Sequence, residues 1–121
     1  MSYWGNEPID NDFAFDQVGS YIYLMRERMF KSMDVVIDKP HPEQSMIASL
    51  QCIRLLAEQF PKCVSVNFGK SEFEETKAAF KKWYDVAHKK IPAKYREAVL
   101  EAAETEFALF EERVLKRYQT G

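Results

Sequence analysis

Apolar residues recur every three or four positions along most of this chain, and that spacing predicts amphipathic helices. The first series is Ala14, Val18, Tyr21 or Ile22, Met25 and Met29. Asp10, Asn11 and Asp12 stand just before it, where short polar side chains accept the free N–H groups of a first helical turn. Carboxylates there also suit the positive end of the helix dipole. "VVIDKPHPE" at 35–43 carries two prolines and reads as non-helical. Pro42 then suits the first turn of a second helix, whose apolar face is Met46, Ile47, Leu50, Ile53, Leu56 or Ala57, and Phe60, with Pro61 as its stop.

"KCVSVNFGK" alternates over too few residues to separate a short strand from an extended loop. "SEFE" at 71–74 reads as a capping box, Ser71 at the cap and Glu74 three residues on. The third helix then buries Phe73, Phe80, Trp83 or Tyr84, and Ala87, and stops before Pro92. The fourth carries Tyr95, Val99, Ala103, Phe107, Phe110, Val114 and Tyr118, and opens at Pro92. The pattern predicts an all-α fold: one domain over residues 1–121, a compact bundle of about four amphipathic helices. A minor β element at 35–37 or 64–68 stays open.

Composition agrees with a packed globular domain, at 46% hydrophobic and 30% charged residues. No apolar run approaches the roughly 20 residues of a membrane span, and "MSYWGNEPID" lacks the features of a signal peptide. Cys52 and Cys63 make no metal or redox pair and read as buried thiols of a cytoplasmic protein. The net charge is only −2, but the charges are sorted. Glu7, Asp10, Asp12 and Asp16 open the chain without a base, seven Lys and Arg crowd residues 77–96, and Glu97, Glu101, Glu104, Glu106, Glu111 and Glu112 follow. Sorting of this kind either steers a charged partner or marks solvated helix faces.

Chemistry is harder to find. A calcium loop opening at Asp10 needs glycine and glutamate where Phe15 and Tyr21 stand. His41 and His88 lack second zinc ligands, and His41, before Pro42, reads as a loop or cap residue. "GKS" at 69–71 lacks the earlier glycine of a phosphate loop, since Val64 occupies that position. Asp12 and Asp16 share a helix face as acid and base of a hydrolase would, but nothing separates their roles. "KKWYDVAHKK" has the look of a nucleic-acid surface, yet Trp83 and Tyr84 also fall on the apolar stripe of helix three. No catalytic residue, cofactor or metal site is expected.

The opening segment "WGNEPIDNDFAFD" resembles the N-terminal signature of the DUF4259 family, small and mostly bacterial domains of unknown function. Trp4, Gly5, Pro8, Ile9, Asp10, Asn11, Asp12, Ala14 and Asp16 carry the resemblance, which is local to residues 4–16. It implies a structural motif of Trp4, Gly5, Pro8, Asp10 and Asn11, in which Trp4 folds back on the bundle and Ile9 staples to helix one. It also implies an immunity protein that occludes a cognate bacterial toxin of the contact-dependent or polymorphic kind. A nuclease toxin has a basic cleft, and an acidic face is its natural plug. The expected partner-binding residues are Glu7, Asp12, Asp16, Glu101, Glu104 and Glu111, with no direct contact to nucleic acid or membrane. The alternatives are a non-catalytic helical adaptor or homodimer, and a carboxylate-based hydrolase.

Overall fold

The computed structural model describes residues 3–60 and 68–116. Among these, four α-helices carry the fold: α1 Asp12–Asp38, α2 Met46–Gln59, α3 Lys70–Ala87 and α4 Ala93–Phe110. A 3₁₀ turn, His88–Lys90, joins α3 to α4, and a π-turn, Glu111–Leu115, continues α4. The only bridge among the described residues is the isolated antiparallel pair Tyr3 and Asn11.

The helices form two hairpins laid side by side. In the first, α2 runs back along α1. In the second, α4 runs back along α3, with Phe73 on Phe107 and Phe110, and Phe80 on Phe107. Between hairpins, α1 packs on α3 and α2 on α4. The core they enclose includes Ile22, Met29, Leu50, Ile53, Phe73, Trp83, Ala103 and Phe110. Its α3–α4 side is a run of ring contacts from Phe68 on Phe110 at 5.1 Å to Tyr84 on His88 at 5.5 Å, the edge and offset arrangements that aromatic quadrupoles favour.

Several sequence expectations need correcting. Residues 35–38 are the last turn of α1, not a break or a strand. Proline restricts chiefly the residue before it, so Pro40 constrains Lys39 and leaves Val35–Asp38 free to stay helical. Val36 and Ile37 are half-buried against the core, and that packing outweighs the modest helix penalty of β-branched side chains. Pro42 lies in the following loop instead of opening α2, which starts at Met46. That loop is held from α3: the Trp83 indole donates to the His41 carbonyl at 2.8 Å, and Lys90 to the Pro40 carbonyl at 2.9 Å.

The cap of α3 lies two residues before the expected Ser71. Gly69 is the N-cap, and its N–H donates to the Glu72 carboxylate at 3.0 Å. Trp83, at 1% exposure, takes the core position, with Tyr84 half-buried beside it. Tyr95 is exposed rather than packed, with the Lys94 ammonium 4.9 Å above its ring. Cys52 is exposed, not buried. Cys63, Tyr118 and residues 64–67 of the possible strand at 64–68 lie outside the described residues, and Phe68 is a buried residue in a bend.

Buried inside the acidic block is one residue that does not belong to a solvated face. Glu106 and Arg54 are each only 5% exposed. The guanidinium forks onto the carboxylate, Nε to Oε2 at 2.6 Å and Nη2 to Oε1 at 3.1 Å. Its remaining arm reaches Glu58 at 3.0 Å, and Arg113 reaches the same Glu58 oxygen at 3.3 Å. This network ties α2 to α4 and to the π-turn. The π-turn has its own packing reason: in an i→i+5 turn Leu115 comes back above Phe110, so Val114 and Leu115 are both buried despite being adjacent.

Candidate protein-binding surfaces

The segment before α1 is a closed loop in which each residue of the Asp-Asn-Asp run has a separate task. The Trp4 N–H donates to the Asp10 carbonyl, and the Asp10 N–H to the Glu7 carbonyl, both at 2.9 Å. The Asp10 carboxylate turns back to accept the Glu7 N–H at 3.0 Å. Asn11 is the N-cap of α1, its side-chain oxygen accepting from the Ala14 N–H at 2.9 Å. Asp12 sits in the first turn and accepts the Trp4 indole N–H at 3.3 Å.

Gly5 is required by space rather than by a special dihedral, since no described glycine has positive φ. A Cβ on Gly5 would run into the Asp10 side chain, whose Cγ stands 2.6 Å away. Trp4 packs edge-on against Phe15 at 6.1 Å, and Ile9 is half-buried against the core. Trp4 therefore does lean back on the first helix. The aromatic residue it meets is Phe15, in the hydrophobic-staple position of α1.

What the loop leaves outside is an acidic, aromatic surface. Phe13 is 85% exposed and Tyr3 71%. Glu7, Asp12 and Asp16 are exposed among them. Phe13 and Leu24, eleven positions apart, fall almost on one line of the helix, and Leu24 and Tyr21 are exposed as well. On that line exposed Gln17 and Ser20 stand between Phe13 and Leu24, so these apolar side chains are spaced along the helix rather than joined in one patch.

The remaining expected residues occupy a different surface. Glu101, Glu104 and Glu111 are exposed along α4, which packs on α2 and α3, whereas α1 packs on α2 and α3 from the other diagonal. The outer faces of α1 and α4 point away from each other, so the two acid groups do not merge into one patch. Glu104 instead stands on the rim of a groove of about 590 Å³ between α3 and α4. The groove has an apolar floor of Phe80, Tyr84, Leu100 and Phe107, and Glu74, Lys77, Lys81 and Asp85 line its α3 side.

Part of the lysine-rich segment serves the fold, while Lys81, Lys82, Lys89 and Lys94 are exposed. Trp83 is in the core, Lys90 is spent on the Pro40 carbonyl, and Arg96 donates to the Ile91 and Lys89 carbonyls at 2.9 and 3.0 Å. Among the described residues no three His, Cys, Asp or Glu side chains are placed to hold a metal ion, and no helix is long and apolar enough to cross a membrane.

Two features escaped the sequence reading. The Arg54–Glu106 pair is separated by 52 positions, and its only local trace is an arginine on the apolar stripe of α2. The α3–α4 groove depends on how closely two helices approach, which no spacing reports. Comparison with protein-family models, curated proteins and solved structures finds no match.

Proposed function

We propose that this chain is an immunity protein that binds a cognate bacterial toxin and blocks it by occlusion. The observation that supports this reading is the N-terminal surface. Exposed Tyr3 and Glu7, on a loop held by its own hydrogen bonds, stand beside exposed Asp12, Phe13 and Asp16 in the first turns of α1. Rigid aromatic anchors surrounded by like charge are what a tight, selective protein interface needs. The acids favour a basic target such as the cleft of a nuclease. The resemblance of residues 4–16 to the DUF4259 signature points the same way. This role requires no cofactor and no catalytic group, and places the protein in the cytoplasm with its target.

The test expresses a candidate toxin encoded next to this gene in cells with and without this chain, and reads protection as growth. A variant carrying Glu7→Lys, Phe13→Ala and Asp16→Lys is expected to lose protection while its melting temperature stays within a few degrees of wild type. Undiminished protection by that variant would overturn the reading. A second reading, a homodimer or helical adaptor, draws on the exposed apolar side chains Tyr21 and Leu24 farther along the same helix. Sedimentation distinguishes it: a dimer that dissociates on Leu24→Glu supports the second reading and displaces the first.

A further inference from the structure

The groove between α3 and α4 lies apart from the N-terminal surface. Its floor is apolar because Phe80, Tyr84, Leu100 and Phe107 are large side chains on two neighbouring helices, and Tyr84, Leu100 and Phe107 are only half-buried. Between Glu74 and Asp85 it runs about eleven residues of α3, roughly 17 Å at the rise of an α-helix. That is the length of about three helical turns, enough to seat three apolar anchors at i, i+4 and i+7.

The rims decide the occupant. Along α3, Lys77 and Lys81 are offset by Glu74 and Asp85. Along α4 the bases Lys94 and Arg96 are confined to the first turn, and from residue 97 to 112 every charge is acidic. Glu97, Glu101, Glu104 and Glu111 are exposed, and their spacing of four, three and seven residues keeps them on one edge of the helix. The groove thus has a greasy floor, a neutral wall on α3, and on α4 a wall lined by Glu104 and flanked by the other exposed glutamates. An anionic membrane surface or a nucleic acid is repelled by that wall. A helix with an apolar stripe and a lysine- or arginine-rich flank satisfies both parts. We propose that the α3–α4 groove docks a basic amphipathic helix of a partner protein.

The experiment uses three synthetic peptides with the full chain: an amphipathic Leu/Lys helix of fourteen residues, its Leu/Glu counterpart, and the Leu/Lys sequence interrupted by a central proline. Binding is read by fluorescence anisotropy at physiological salt. The Leu/Lys helix is expected to bind at least tenfold tighter than either other peptide. Ala78→Trp, which fills the groove from an exposed lining position, and Glu104→Lys are each expected to weaken binding about tenfold without lowering the melting temperature appreciably. Equal binding of the proline-interrupted peptide would show mere charge attraction and overturn the proposal. So would unchanged affinity in both variants, or a wild-type dimer that Ala78→Trp dissociates, which would make a second copy the occupant. Neither substitution touches Glu7, Phe13 or Asp16, so this result and the protection assay fail independently.

Discussion

Asn11, Gly5 and Asp10 show how much a few atoms decide at the start of this fold. Asn11 is the single side-chain cap of a helix of 27 residues. Asn11→Ala is expected to cost about 1 kcal/mol, measured as a fall in the urea midpoint at constant slope. The Arg54–Glu106 pair is a harsher case. Removing one member leaves the other buried without its counter-charge, so Glu106→Ala is expected to destabilise by about 3–5 kcal/mol. The double substitution Arg54→Met with Glu106→Leu removes both charges and fills their space. It is expected to be close to neutral, because the two ions no longer have to be stripped of water. If the double variant is as unstable as the single one, the pair contributes more than its desolvation costs. The sequence makes Asn11 legible, since capping acts within one turn. It could not pair Arg54 with Glu106, since nothing local to either residue specifies the other.

At the scale of elements, each helix was foreseeable and most of its boundaries were not. Periodicity marked Ile22 and Met29, Leu50 and Ile53, Phe73 and Phe80, Ala103 and Phe110, and all are buried. The end of α1 and the start of α2 moved because prolines restrict less chain than their appearance suggests, while the half-burial of Val36 and Ile37 rewards one more turn of helix. The loop between them is fixed by a remote helix through the Trp83 indole. Trp83→Phe would leave the His41 carbonyl without that donor, at a cost of about 1–3 kcal/mol. Hydrogen exchange should then quicken at residues 39–45 more than at the centre of α1. Uniform quickening throughout the bundle would mean that the ring's volume matters and the hydrogen bond does not.

For the whole molecule, charge placement separates stability from recognition. Partial burial pushes the Glu58 carboxyl up, but the hydrogen bonds from Arg54 and Arg113 and their positive charges outweigh it and hold that carboxyl below its ordinary value. A depressed carboxyl stabilises the fold fully above its unfolded value, about 4.3 for glutamate, and that contribution is lost as pH falls through the lower folded value. Glu58→Gln should therefore flatten the acid limb of stability below about pH 4.3 and lower stability at pH 7. Urea midpoints from pH 7 to 3 check both. The surface acids at Glu7, Asp16 and Glu104 are exposed, and reversing them should change binding far more than folding.

The amino-acid sequence by itself determined the all-α class, the four amphipathic stripes and the capping chemistry of the opening segment, because each depends on neighbours within a turn or two of helix. Tertiary structure alone decided which helices touch, that Trp83 and not Tyr84 enters the core, and that Glu106 turns inward to Arg54. It also divided the acids between two faces and opened a groove beside Glu104. Those outcomes depend on how helices pair across the bundle, and burial, electrostatic pairing and concavity exist only once distant segments have come within contact of each other.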